Sequence, residues 1–378
     1  MAIQKRSQGR YEVAVEFGFD ATSGKRLRRF KSVTGTRKQA EAVEREMLSE
    51  RDRGIAFAPA TTSVAQFLNY WLDEYGTQAL APSTLIRYRI AVEKHIIPHL
   101  GTLHLRDLRP LHVQQLHRRC RDEGLAPATI RQHHRVLARA LKLGVQWQLL
   151  PSNPAGDVNA PRVARAELPT LSAEQAQSFL DAAQPDRMFP FAFLALQTGA
   201  RNGELCGLRW SDIDLDNCRL SIRRTAQRIR GEGLLMQPTK THRSQRPISL
   251  SPLTVSFLTR LRREQYGNEA PRDNYVLRQE SGAPYEPRQV SVGFRRIREL
   301  TGLPHNFRFH DLRHSNATLL MMAGLHPKVV SERLGHATVS ITLDVYSHVV
   351  PSMQTEAAEA MDRLLTKTYP TVQQAGES

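Results

Sequence analysis

The chain has 378 residues and carries 53 Lys and Arg against 37 Asp and Glu, a formal net charge of +16. Hydrophobic residues make up 40% and charged residues 24%, which fits a folded multidomain protein and excludes wholesale disorder. The longest apolar stretch, Phe189–Leu196, is too short to span a bilayer, and Cys120, Cys206 and Cys218 form no CxxC pair that would mark a disulfide framework or a thiolate zinc site. Met1–Arg6 lacks the apolar segment of a secretory signal, so the expectation is a cytoplasmic protein with no membrane partner. The excess charge is spread at roughly +5, +5 and +6 over residues 1–60, 61–160 and the remainder. Several basic modules in series point to a polyanion, double-stranded nucleic acid above all.

Tyr11, Val13, Val15, Phe17 and Phe19 alternate with Glu12, Ala14, Glu16 and Gly18, the period-2 signature of a strand. A turn at Asp20–Gly24 and a returning strand over Lys25–Val33 follow, and Thr36 with Gln39 has capping-box spacing ahead of a stripe at Ala40, Val43 and Met47. The pattern predicts a small sheet with one covering helix over 1–60. Its basic strand, with Arg26 and Arg28, suits either a DNA groove or a solvated sheet face.

Residues 61–155 read as a helical bundle. Val64, Phe67, Leu68, Trp71 and Leu72 make one stripe. Prolines 82, 110 and 127 open three further helices, with Leu85, Tyr88, Val92 and Ile96 inward on the one that runs toward Pro98. On the last helix Arg131, Arg135, Arg139 and Lys142 recur at helical spacing, a stripe suited to phosphates or to solvent. Histidines 95, 99, 104, 112, 117, 133 and 134 have no Cys or organised carboxylate among them in the sequence, so they are expected at the surface or facing DNA, not as metal ligands.

Residues 156–168 form a proline-containing linker to a mixed, mostly helical domain over 169–378. Phe179–Ala183, Met188–Leu196, Leu205–Trp210, Leu253–Glu264, Val290–Leu300, Leu312–Ala323, Lys328–Leu334 and Ser340–His348 read as helices. Arg219–Ile229 and Arg246–Leu250 read as strands around a polar turn, and Met353–Leu365 as a modest amphipathic helix. The fold class is multidomain, mainly α with small β-sheets.

Reactive side chains concentrate in this last domain. Arg201 sits three residues before Glu204, beside an apolar segment where a buried cation needs an anionic partner. His310 and Arg313 lie one turn apart, followed by His314; His336 follows Leu334 and Gly335; Tyr346 comes ten residues later. Lys240 is the one lysine between Lys142 and Lys328, in a stretch whose other basic residues are Arg and His. Lysine surrenders a proton far more readily than arginine, so its retention fits either a proton donor or chance.

Taken together, Arg201, Lys240, His310, Arg313, His336 and Tyr346 resemble the tyrosine recombinases, or phage integrases. The segments that carry the likeness are Thr198–Trp210, His310–Ser315 and Leu334–His348. Asn316 departs from it, standing where a larger apolar residue is usual. The resemblance implies a site-specific recombinase of a phage or other mobile element, which cuts and rejoins DNA through a 3′-phosphotyrosine and a Holliday junction. Tyr346 would be the nucleophile, and no cofactor or metal is needed. It also implies a homotetramer on double-stranded attachment sites at the bacterial nucleoid, with an excisionase and a DNA-bending host protein as further partners. Residues 61–155 would bind the core site and 1–60 the arm site. A Xer-type chromosome-dimer resolvase, a type IB topoisomerase and a non-catalytic DNA-binding regulator are the competing readings. The first of these lacks the N-terminal sheet.

Overall fold

A computed structural model describes residues 3–7, 9–19, 26–52, 62–164, 168–229, 231–239, 245–267, 273–346 and 350–365. The chain divides into two compact units between Arg165 and Ala166, inside the proline-containing stretch. No helix among the described residues is long and apolar enough to cross a membrane.

The first unit opens with an antiparallel sheet in the order β1 (Ile3–Ser7), β2 (Arg10–Phe19), β3 (Arg26–Thr34). Strand β1 was not expected from its polar composition; it pairs Ile3 with Val13 and turns back at Gly9, which has φ +74. The capping box forms as its spacing predicts, with Thr36 N–H donating to Gln39 Oε1 at 2.8 Å at the start of the Arg37–Asp52 helix. Val13 and Val15 are buried with Ala40 and Met47. Arg26 lies opposite Phe19 and Arg28 opposite Glu16.

The helical bundle starts at Ser63, whose hydroxyl accepts from Gln66 N–H at 3.1 Å. The Val64–Trp71 helix buries Val64, Phe67, Leu68 and Trp71, and Leu72 follows them into the core. Helices Pro82–Ala91, Pro110–Asp122 and Pro127–Gln146 begin at the three expected prolines. Two of the helical runs widen by a π turn, at Leu72–Gly76 and Val92–Ile96, so the run toward Pro98 is not one regular helix. Arg131 is half-buried while Arg135 and Arg139 are exposed. Arg139 donates to the Tyr75 hydroxyl at 2.8 Å, and its guanidinium lies 5.5 Å from that ring.

His117, His133 and His134 are buried, contrary to the surface position expected from their polarity. Ring stacking accommodates them: His95 and His133 lie 4.6 Å apart nearly parallel, and His117 meets His134 edge-on at 5.1 Å. Burial, then His95, pushes the His133 ring down to about 4, so it is neutral at pH 7. Below about pH 6.5 the unfolded chain takes up a proton that the folded bundle refuses, and unfolding is favoured. The expected result is a melting temperature that falls between pH 7 and 5, as His133 lowers the unfolding free energy by up to about 1.4 kcal/mol per pH unit. A flat profile over that window, or one unchanged by His133→Gln, would count against it.

The second unit packs helices around an aromatic core that includes Phe179, Phe191, Phe294, Phe307 and Phe309, each contributing about 1.5–3 kcal/mol through burial. Helices Ala173–Ala183 and Phe189–Thr198 come first, then a short helix, Asn202–Cys206. The helix expected over Leu205–Trp210 is displaced, and only Leu205 and Cys206 of that stretch lie in it. The chain leaves helical geometry at Gly207 and re-enters a single tight turn, Trp210–Asp212, where Arg209 N–H donates to the Asp212 carboxylate at 3.0 Å.

Arg219–Ile229 is two strands in different sheets. β4 (Ile213–Asp214), β5 (Arg219–Ile222) and the later β8 (Arg246–Ser249) form one antiparallel sheet in that order. β6 (Arg224–Ile229) instead pairs with β7 (Gly233–Pro238) in a hairpin. β7 falls within the stretch expected as a polar turn. Gly231 and Gly233, at φ +90 and +84, make the turn tight enough for the following residues to pair back.

Helices Pro252–Tyr266, Pro287–Leu300, Asp311–Met322, Pro327–Leu334, Val339–Tyr346 and Val350–Leu365 complete the unit. On the last of these, Met361, Leu364 and Leu365 are exposed.

Candidate active site

The site is assembled where two left-handed helix ends meet. The apolar Phe189–Thr198 helix ends at Gly199, with φ +65; a Cβ there would lie 2.4 Å from Leu334 Cδ2 and 2.7 Å from Asn316 Oδ1. The Pro327–Leu334 helix ends at Gly335, with φ +67, where a Cβ would crowd the Arg246 side chain at 3.0–3.2 Å. Both positions favour glycine for conformation, and Gly199 needs it for space as well.

Arg201 caps the Asn202–Cys206 helix. Its backbone N–H donates to Glu204 Oε2 at 2.9 Å and its Nη1 to Oε1 at 2.8 Å, while Nη2 reaches the Gly335 carbonyl at 3.2 Å. Its side chain keeps 38% of its surface exposed, whereas that of Glu204 keeps 3%. Arg246, at the start of β8, holds the other side of the same carboxylate: Nη1 donates to Oε1 at 3.2 Å and Nη2 to Oε2 at 2.9 Å. Its Nε donates to the Arg333 carbonyl at 2.6 Å. Burial pushes the Glu204 carboxyl up, but hydrogen bonding and charge from Arg246, with the charge of Arg201, outweigh it and hold it below the usual range.

Arg313, on the Asp311–Met322 helix, is buried and bridges both helix ends, donating through Nη1 to the Gly199 carbonyl at 2.7 Å and through Nη2 to the Leu334 carbonyl at 2.6 Å. Asn316, one turn further on, donates its amide to the Leu196 carbonyl at 2.7 Å. The departure from an apolar residue therefore fixes the same helix end by a hydrogen bond.

His336 is half-buried, and its Nδ1 lies 2.8 Å from the hydroxyl of the fully buried Thr342. Loss of hydration, then the charges of Arg313 and Arg201, push its ring down to about 3. His310, at the start of its helix, is exposed and meets His314 edge-on at 5.0 Å. Partial desolvation, then His314 and Arg313, push His310 down to about 4. Both rings are neutral at pH 7. A cleft of about 290 Å³ opens beside His336, lined also by Arg246, Lys328, Ser331, Gly335 and Thr338.

Of the six residues expected in the site, Arg201, Arg313 and His336 meet at these two helix ends, and His310 lies close enough to feel the charges of Arg201 and Arg313. Tyr346 is the last residue of the Val339–Tyr346 helix; its side chain lies outside the described residues, as does Lys240 altogether. Arg246 was not singled out from the sequence. The signal available was its place at the head of a strand directly after the Lys240 segment, but nothing local pairs it with a carboxylate 42 residues away.

In the first unit His99, Cys120 and Glu123 bring their ligand atoms within 4.8 Å of one another, a grouping the sequence spacing did not suggest. His99 Nε2 already lies 2.9 Å from Glu123 Oε1, and burial, then the Glu123 charge, pushes the Cys120 thiol up, away from the thiolate a metal would need. The group reads as a histidine–carboxylate pair beside a buried thiol.

The phage integrase family model matches residues 169–353, and the model for the phage integrase N-terminal SAM-like domain matches 63–119. A XerC-like tyrosine recombinase of Caldanaerobacter subterraneus subsp. tengcongensis is 28% identical over 386 residues, covering 95% of this chain and 97% of that protein. The ICEBs1 integrase of Bacillus subtilis (strain 168) is 25% identical over 379 residues, covering 97% and 100%. Among solved structures, the Tn1549 transposon integrase with transposon right end DNA superposes with a TM-score of 0.69 at 22% identity, over 81% of this chain and 100% of that one. A lambda integrase tetramer bound to a Holliday junction gives 0.56 at 21%, over 90% and 94%. These structures share the fold. The two family models and the full-length relatives show that the chain belongs to the phage integrase family, the tyrosine recombinases, and is an enzyme that cuts and rejoins DNA.

Proposed function

We propose that this enzyme is the integrase of a phage or other mobile element and that Tyr346 attacks the scissile phosphate to leave a 3′-phosphotyrosine. The observation that carries the reading is the convergence of Arg201, Arg313 and His336 on the two helix ends at Gly199 and Gly335. In the reaction the Tyr346 oxygen forms a bond to phosphorus as the bond to the 5′-oxygen breaks. The negative charge gathering on the non-bridging oxygens meets two guanidiniums and a ring N–H from His336. His310, neutral at pH 7, takes the phenol proton, and Lys240 delivers a proton to the departing 5′-oxygen. The phosphotyrosine keeps the energy of the broken bond, so the 5′-hydroxyl of a partner strand can reseal it. Arginine charge takes the part a metal plays in many nucleases, and the reading uses no metal or cofactor.

Residues 61–155 would grip the core site, with Arg131, Arg135 and Arg139 toward phosphates, and residues 1–60 the arm site, with Arg26 and Arg28. The three-stranded sheet and its helix suit the arm-site module of an integrase, and the XerC-like relative matched over nearly its whole length keeps a Xer-type resolvase as the second reading. Four protomers would act on paired attachment sites at the bacterial nucleoid, with an excisionase and a DNA-bending host protein setting direction. The exposed Met361, Leu364 and Leu365 suit packing against a neighbouring protomer.

The test is covalent trapping on nicked double-stranded DNA that carries the element's own junction sequence, in EDTA. Wild-type protein should form an adduct that peptide mapping places at Tyr346. Lys240→Ala should form roughly 10²-fold less, or lower still, and regain most of the rate when the 5′-oxygen is replaced by sulfur, a leaving group that needs no proton. An adduct at another tyrosine, or dependence on magnesium, would overturn the mechanism; a failed sulfur rescue would remove Lys240 as the acid.

A further inference from the structure

We propose that Thr342 is a positioning residue: its hydroxyl donates to Nδ1 of His336 and so holds the ring proton on Nε2, the donor for the scissile phosphate. The inference rests on the reading of His336 as a phosphate donor. Three observations support it. The two atoms lie 2.8 Å apart and Thr342 is fully buried, so the contact is shielded from competing water. Among the described residues, the charged and titratable groups acting on the His336 ring are Arg313, Arg201, His314 and Arg246. Loss of hydration, then the charges of the arginines, keeps the ring neutral, and those charges make the site one for an anion. A neutral imidazole has one donor and one acceptor, and the nitrogen that bonds the hydroxyl decides which role the other plays. A phosphate oxygen only accepts, so the productive tautomer is the one with Nδ1 accepting from Thr342.

The contact also joins two parts of the chemistry. His336 lies in the turn after the Pro327–Leu334 helix, while Thr342 sits on the Val339–Tyr346 helix, four residues before the nucleophile position. One hydrogen bond thus ties the phosphate donor to the helix that carries Tyr346.

Thr342→Val replaces the hydroxyl by a methyl group of nearly the same size, and Thr342→Ser keeps the hydroxyl. The full chain labelled with 15N-histidine, with His336→Gln to identify the signal, reports the tautomer directly. The expected wild-type spectrum has an unprotonated Nδ1 and a protonated Nε2, lost or mixed in the valine variant. On nicked junction DNA, Thr342→Val should form adduct roughly tenfold to hundredfold more slowly at unchanged DNA affinity, with serine near the wild-type rate. A wild-type proton on Nδ1, or a valine variant as fast as wild type, overturns the proposal. Failure of the wild type to form any adduct counts against the reaction itself, whereas the spectrum still decides the role of Thr342.

Discussion

Tyr346→Phe should bind its DNA site as tightly as the wild type and form no covalent adduct. The substitution removes one oxygen at the end of the Val339–Tyr346 helix and leaves every guanidinium around Gly199 and Gly335 in place. Those cations, with the basic modules of the first unit, supply the phosphate attraction that governs affinity. What disappears is the atom that would be esterified. On the proposed reading the other five site residues, Arg201, Lys240, His310, Arg313 and His336, stabilise charge or move protons, so none of them takes over as nucleophile. Loss of an enzyme nucleophile costs on the order of 10⁶ in rate where it has been isolated, so the adduct should fall below detection. Gel shift and denaturing electrophoresis of the same samples check both halves. Weakened binding would mean that the phenol also organises the ground-state complex, and residual adduct would name another nucleophile.

Arg313→Lys is expected to be the most damaging of the charge-conserving changes. The guanidinium bridges carbonyls at residues 199 and 334 with hydrogen bonds of 2.7 and 2.6 Å from a buried position. Lysine keeps the charge but offers one compact ammonium on a different stem, which cannot reproduce a planar fork. At least one buried carbonyl then loses its partner, at about 1–3 kcal/mol. The two helix ends that carry Arg201 and His336 lose their common brace, and on the proposed reading the phosphate loses one of its two guanidiniums. Together these should lower adduct formation by roughly 10²–10³ and also lower the melting temperature. Arg201→Lys makes a useful comparison. Its side chain is more exposed and contacts a single carbonyl of the opposite turn, so it should lose activity with less loss of stability. If both variants melt alike, the bracing role of Arg313 is wrong.

The sequence was most readable where local rules suffice. Proline at helix starts located the bundle helices, and Thr36 pairs with Gln39 at the start of its helix as their spacing predicts. The order of Arg201, His310, Arg313, His336 and Tyr346 was legible because each sits in a short motif at a helix end. The misreadings share a different cause. β7 was hidden because Gly-Glu-Gly reads as punctuation until its left-handed glycines close a hairpin. The buried histidines were hidden because ring contacts between residues distant in sequence, His95 with His133 and His117 with His134, leave no periodic trace. Arg246 escaped for the same reason: its importance lies in a carboxylate, distant in sequence, that it shares with Arg201. Local propensity cannot report such partnerships, which exist only once the tertiary fold brings them together.

The shared carboxylate also bears on any attempt to retarget this recombinase. Both oxygens of Glu204 accept from Arg201 and from Arg246, and the Arg246 side chain leaves little room for a Cβ at Gly335. The cutting machinery is therefore a single knot that is inherited whole or lost whole. On the proposed reading, directed evolution toward new DNA sites has its room at exposed residues of the first unit such as Arg135 and Arg139, while this knot is best left out of the randomised positions.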